Sequence, residues 1–317
     1  MTFVDHTLAF VFPGQGSQSV GMLTELAEAY PVVESTFSEA SRLLGYDLWD
    51  TVKNGPETRL NLTAHTQPAM LAAGVAAWRV WCQHTEARPA WLAGHSLGEY
   101  TALVCSGFLD FEHAVSLVAE RGRLMQEAVE PGQGAMAAIL NLEDQVVVEV
   151  CQEASTPTET VVAANFNAPG QVVVAGHRDA VARAMELARV RGARRVVLLP
   201  VSVPSHSPLM QTAALKLRER LAVTPFQTGY APVIHNVDVA FHPYPDSIRQ
   251  ALEQQLHSSV RWVEVIRHIQ AQGVTRYVEC GPGKVLAGLN KRVVPEACTE
   301  MLFDPDSLKK ALELVNL

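Results

Sequence analysis

The sequence predicts an α/β protein: a parallel sheet covered by helices on both faces and interrupted by a small inserted domain. Three observations carry that expectation. Apolar strand-like runs alternate with helical patterns over the first 128 residues, which is the sequence mark of a parallel sheet. The stretch "AWLAGHSLGEYTALVC", residues 90–105, places Ser96 between Gly94 and Gly98 where an apolar run turns into a helical one. Between residues 134 and 201 the rhythm changes to β-α-β-β-α-β, the order of a ferredoxin-like unit.

The elements follow in chain order. "TLAFVFPGQGSQSVGML" reads as a buried strand entering a Gly-rich turn. "VVESTFSEASRLLG" and "TQPAMLAAGVAAWRVWCQ" read as helices, the second apolar nearly all round and therefore deep. Ala90–Ala93 end a buried strand, and Leu97, Tyr100, Ala102, Leu103 and Val104 open a helix. In the inserted unit, "GAMAAIL" is a strand and "EDQVVVEVCQEA" a helix, despite its valines. "TVVAANFN" and "QVVVAG" are strands around the turn signal "APG". "RDAVARAMELARVRG" is a helix ending at Gly192, and "ARRVVLLPV" is the last strand. The main domain resumes with "SHSPLMQTAALKLRERLA", "APVIHNVD", "SIRQALEQQL" and the strand-turn "RYVECGPGKVL". The expected division is 1–128 with 202–317 as the core and 129–201 as the inserted small domain. A cleft between the two is the natural place for a small molecule.

Composition narrows the function classes. At 317 residues, 48% apolar and 18% charged, the chain is globular and carries no disorder signature. A net charge of −8 argues against bulk nucleic-acid binding. The N-terminus lacks a signal-peptide pattern and no run is long enough to span a bilayer, so a cytoplasmic protein is expected. Five cysteines without a CxxC pair fit reduced thiols, and the 11 histidines show no ligand spacing, so no metal is expected.

Gly-Xaa-Ser-Xaa-Gly at a strand-to-helix junction is the spacing of a nucleophile elbow, which exposes the hydroxyl beside a helix N-terminus. An ordinary turn with Ser96 as an N-cap has the same residues. A serine hydroxyl needs a base. His95 is adjacent, but neighbours at such a turn point different ways. His206 in "VSVPSHSPLM" follows the last small-domain strand and so lies at the domain junction. An oxyanion hole needs backbone N–H donors, and the residue after the nucleophile, Leu97, supplies one. "FPGQGSQ" offers a second around Gln15, since Gly14 and Gly16 permit close approach. It is no dinucleotide fingerprint, because Ser19 stands at the third glycine position. "GPGKVL" at 281–286 likewise fails as a phosphate loop.

Arg121 is the most informative residue. In "EHAVSLVAERGRLMQEAV" the apolar stripe Ala114, Leu117, Val118, Leu124, Met125 and Ala128 contains Arg121, while Glu120, Arg123 and Glu127 lie off it. A core-facing guanidinium needs an anion. An internal Asp or Glu would serve, as would snorkelling past the core. So would the carboxylate of a substrate, gripped by paired hydrogen bonds. Periodicity alone leans to the internal answer.

Taken together, "FPGQGSQ", "TQPA", "GHSLGEY", "RGRLMQEA", "NFNAPGQVVVAG", "VPSHSPLM", "NVD", "QQL" and "CGPGKVL" occur in the order found in malonyl-CoA:acyl-carrier-protein transacylases of type II fatty acid synthesis. The chain resembles that family over nearly its whole length. The resemblance implies an α/β-hydrolase-like core with a ferredoxin-like insertion. It implies Ser96 as the nucleophile that receives malonyl, His206 as general base and acid, and Arg121 as the malonyl-carboxylate ligand. Backbone amides of Gln15 and Leu97 would form the oxyanion hole, and Gln255 of "QQL" would orient the histidine through its main-chain carbonyl. Malonyl-CoA and acyl carrier protein are the implied partners, with no cofactor and a monomeric enzyme expected. Arg191, Arg194 and Arg195, or Lys284, Lys291 and Arg292, would supply a basic face for the acidic carrier. One departure is Ser258-Ser259 in "QLHSSVRW", where relatives more often carry Asn-Pro, which bears on local loop geometry. Two other functions share much of this pattern: a serine hydrolase acting on esters or thioesters, and the same transfer serving a polyketide or malonate pathway. Arg121 and the insertion fit the hydrolase less well.

Overall fold

The run Leu8–Phe12 is fully buried on both sides, as expected of the middle strand of a covered parallel sheet. The computed structural model describes residues 2–201 and 203–315. In it, β1 (Phe3–Phe12), β2 (Ala87–Gly94), β3 (Gly134–Leu140), β4 (Val161–Ala168), β5 (Gln171–His177), β6 (Arg195–Leu198), β7 (Val233–Ile234), β8 (Arg276–Cys280) and β9 (Cys298–Leu302) form two sheets. The larger has the order β7-β2-β1-β8-β9, with every pair parallel.

Strand alternation assigns its two faces. Leu8, Phe10 and Phe12 face the deep helix Thr63–His84, where Phe10 meets Trp78 and Trp81 edge-on at 5.1 and 5.0 Å. Ala9 and Val11 face the opposite layer, with Trp262, Ile266 and Tyr277. Burying one such aromatic side chain is worth roughly 3 kcal/mol. The strands run in one direction, so the loops after β1 and β2 meet at the same sheet edge.

The smaller sheet has the order β4-β5-β3-β6, antiparallel throughout, with helices Asp144–Ala154 and Arg178–Val190 packed on one face. This is the ferredoxin-like arrangement. Helix Asp144–Ala154 tolerates its valines because Val147, Val150, Cys151 and Ala154 recur at helical spacing on its buried side. The small sheet is tied to the main body through β4. Phe166 N–H donates to Val260 O, and Val260 N–H donates to Ala164 O, both at 2.9 Å. Ser259 Oγ adds a bond to Ala163 O at 2.6 Å. The Ser258-Ser259 segment therefore makes a side-chain tie between the two units.

One element differs from the sequence expectation. The strand expected over 193–201 is only β6, because an outer strand pairs on one side and Leu198 is left half exposed. "APVIHNVD" contributes only two strand residues before His235 and Asn236 turn inward. "SHSPLM" opens with a 3-10 turn at Pro208–Met210 before the helix Gln211–Val223.

Candidate active site

The end of β2 and the start of helix Gly98–Cys105 fold back so closely that only glycine fits on either side of Ser96. A Cβ on Gly94 would lie 1.8 Å from Gly98 C, and one on Gly98 would lie 2.0 Å from Phe12 O. Both obstacles are backbone and cannot swing aside. Ser96 itself has φ 53°, a left-handed conformation that L residues adopt at a cost. Gly98→Ala is accordingly expected to destabilise the fold by about 3 kcal/mol or more, read as a fall in the thermal unfolding midpoint. An unchanged midpoint would contradict the packing described.

The turn brings four groups together across the fold. Ser96 Oγ lies 2.7 Å from His206 Nε2. His206 Nδ1 lies 2.7 Å from the main-chain oxygen of Gln255. A carbonyl only accepts, so the proton resides on Nδ1 and the lone pair on Nε2 faces the serine. Burial, and then the positive charge of Arg121, push the proton affinity of His206 down to a pKa of about 3. The imidazole is thus neutral near pH 7 and free to take a proton.

Arg121 projects from helix Phe111–Glu127 into the same space and is 1% exposed. Its Nη2 donates to Gln255 Oε1 at 2.9 Å and to Ser96 Oγ at 3.3 Å. It stacks 5.4 Å over the Tyr100 ring, and its Nε–H has no partner among the described residues. No carboxylate among the described residues forms an ion pair with it, although exposed ion pairs are plentiful elsewhere. Burial lowers its proton affinity without discharging it. A buried guanidinium whose hydrogen bonds among the described residues go to neutral oxygens only is suited to binding an anion.

Gln255 serves at three points. Its carbonyl accepts from His206, its Oε1 accepts from Arg121, and its Nε2 donates to Ser96 O at 3.0 Å. Leu97 follows the serine at the helix entrance. The Gln15 loop lies against the elbow, since a Cβ on Gly14 would meet His95 O at 2.4 Å. Gln15 is exposed, and its side chain reaches Thr63 Oγ1 at 3.3 Å. Among the described residues, the backbone N–H groups of Gln15 and Leu97 donate to no protein acceptor. His95 turns away from the serine: its Nε2 meets Asn167 Oδ1 at 2.8 Å and its ring packs near Trp262.

Sequence reasoning missed three buried residues here: Glu99, His235 and Asn236. Asn236 Oδ1 accepts from Ser96 N–H, and Asn236 Nδ2 donates to Gly94 O, each at 2.8 Å. The only signal was "HNVD" directly after a short apolar run. Among the described residues no group of acidic, histidine or cysteine side chains could hold a metal.

The arrangement can perform acyl transfer through a serine ester, on an acyl group that carries a negative charge. Comparison with known proteins agrees in outline. The acyl transferase domain family matches residues 9–298. A malonyl CoA-acyl carrier protein transacylase of Escherichia coli O157:H7 is 53% identical over 306 residues, 96% of this chain and 99% of the relative. The solved malonyl-CoA:acyl carrier protein transacylase of Xanthomonas oryzae pv. oryzae superposes with a TM-score of 0.96 at 51% identity, covering 99% of both chains. A malonyl-transacylase solved in complex with its type II PKS acyl-carrier protein superposes with a TM-score of 0.95 at 50% identity, covering 97% of this chain and 99% of that one.

Proposed function

The chain belongs to the acyl transferase family, among the malonyl-CoA:acyl-carrier-protein transacylases, and we propose that Ser96, His206 and Arg121 carry its chemistry. The enzyme is an acyltransferase that moves malonyl from coenzyme A to the phosphopantetheine thiol of acyl carrier protein in fatty acid synthesis. Relatives named for this reaction do not favour the hydrolase.

In the first half-reaction His206 Nε2 takes the Ser96 proton as Oγ attacks the malonyl thioester carbonyl. The Gln15 and Leu97 amides receive the developing oxyanion. The C–S bond breaks, and the proton on Nε2 passes to the departing coenzyme A sulfur. In the second half-reaction the carrier thiol gives its proton to Nε2 and attacks the serine ester, and the proton returns to Oγ. A thioester is an activated acyl donor, so a serine–histidine pair suffices where Gln255 O supplies the orientation an aspartate gives elsewhere. Arg121 pairs with the malonyl carboxylate through its guanidinium, whose Nε–H has no partner among the described residues. The carrying observation is that this guanidinium is buried beside Ser96 Oγ and forms no ion pair with a carboxylate among the described residues.

We divide the chain into a core of 1–128 and 202–317 and a small domain of 129–201. We infer that the enzyme needs no cofactor and works as a monomer in the cytoplasm. No helix among the described residues is long and apolar enough to cross a membrane. For carrier docking, the face with Lys284 and Lys291 is the better placed. A Cβ on Gly283 would lie 3.5 Å from Ser17 O in the Gln15 loop, whereas Arg191 is already paired with Glu153 at 2.7 Å.

The test is acceptor dependence. With malonyl-CoA alone, coenzyme A release should stop after one equivalent per enzyme and resume when carrier bearing its phosphopantetheine thiol is added. Continuous malonate release without acceptor would establish a hydrolase instead.

The low proton affinity of His206 gives a second expectation. The single-turnover loading rate at pH 5.5 should stay within about twofold of that at pH 7.5, with no inflection near an ordinary histidine value. Arg121→Ala removes a repelling charge and should move any acid limb upward. A wild-type limb centred near 6.5 would overturn the description of the imidazole. Stability follows the same shift. Between about pH 6.5 and about 3 the unfolded chain takes up a proton here that the folded chain refuses, so stability falls as pH drops through that window.

A further inference from the structure

We propose that the buried Glu99–His235 pair is a positioning unit for the nucleophile, acting through Asn236. Glu99 is fully buried and both its oxygens are committed. Oε1 lies 2.7 Å from His235 Nδ1, and Oε2 accepts from Asn236 N–H at 2.9 Å. Asn236 in turn grips the elbow on both sides, at Ser96 N–H and Gly94 O. Glu99 N–H donates to Ser96 O at 3.1 Å, which closes a ring from Ser96 through Glu99 and Asn236 back to Ser96. His235, itself 1% exposed, holds the second carboxylate oxygen and so fixes the rotation of the carboxylate that anchors Asn236.

Such a pair is poor value for stability alone, because well-packed apolar residues of similar volume are usually no worse. Its position accounts for it. A residue at positive φ stays there only where its surroundings over-determine the backbone, and here the ring does so at the residue whose Oγ must meet both His206 and Arg121. Loss of the ring would let Oγ drift from the 2.7 Å contact, and displacements of an ångström cost reactions of this kind about 100-fold.

This inference rests on Ser96 being the nucleophile, so the experiment separates the two. Malonyl loading is followed by quenched intact-mass measurement in wild type, His235→Leu, His235→Asn and Glu99→Gln. His235→Leu removes the donor. Asparagine presents an amide N–H close to the Nδ1 position. Glu99→Gln sets an amide N–H against one of two existing donors. His235→Leu and Glu99→Gln should load at least about tenfold more slowly per active site, at unchanged KM and full adduct stoichiometry, and His235→Asn should recover most of the rate. If His235→Leu does not fold, the nearly isosteric Glu99→Gln is read in its place. Loading at the wild-type rate in Glu99→Gln, or no recovery in His235→Asn relative to His235→Leu, overturns the positioning role. A wild type without an adduct on Ser96 overturns the nucleophile assignment instead.

Discussion

Ser96→Ala should lower malonyl transfer by about 10,000-fold or more while leaving malonyl-CoA binding close to that of the wild type. The substitution keeps Cβ, so the left-handed backbone at φ 53° bears no new strain. It removes only Oγ, the acceptor of the Arg121 contact and the partner of His206 Nε2. Arg121 retains Gln255 Oε1 and an Nε–H with no partner among the described residues, and therefore still receives the carboxylate. Calorimetric binding together with intact mass checks both halves. A variant that binds malonyl-CoA and gains no covalent mass is the expected result, and retained transfer would remove Ser96 from the chemistry.

Arg121→Ala should change selectivity more than it changes the reaction itself. A malonyl carboxylate brought into this space without the guanidinium would be a buried, unpaired charge, and breaking such a pair costs about 3–5 kcal/mol, or roughly 150- to 5,000-fold in kcat/KM. Acetyl loading never used that contact and should stay within about tenfold of its wild-type value. Arg121→Lys should fall between, since an ammonium supplies charge without the two-pronged geometry. Loading rates with each thioester, compared as a ratio, check this. A ratio unchanged by Arg121→Ala would mean that another group reads the carboxylate.

Those two residues were also the ones the sequence displayed most openly, for physical reasons. The turn around Ser96 leaves no room for a Cβ, so it must be written with glycines. A guanidinium inside an apolar stripe must find an anion or snorkel past the core, and periodicity alone leaned to an internal carboxylate. What the sequence could not display is pairing. Whether Arg121 met an internal carboxylate depended on which side chains converge from the rest of the chain, and the convergence turned out to be with Gln255, 134 residues away. Glu99 was hidden by its setting. A glutamate in the first turn of a helix ordinarily serves the helix dipole at the surface, and this one is buried because Gly98–Cys105 is itself an interior helix. His235 and Asn236 lie just past a strand of only two residues, which ends at Ile234, and they turn into the elbow. The small domain was legible through its alternation of strands and helices, whereas the short extent of β6 was not, because the length of an outer strand depends on how far its single neighbour pairs with it.

The most direct test of the account is a competition. The wild-type enzyme is mixed briefly with equal malonyl-CoA and acetyl-CoA, without carrier protein, and its intact mass is measured. One malonyl adduct per chain is the expected result, absent in Ser96→Ala and strongly reduced in Arg121→Ala. An acetyl adduct as abundant as the malonyl one would contradict Arg121 as the selector, and rapid release of free acid without any adduct would contradict the transfer mechanism as a whole.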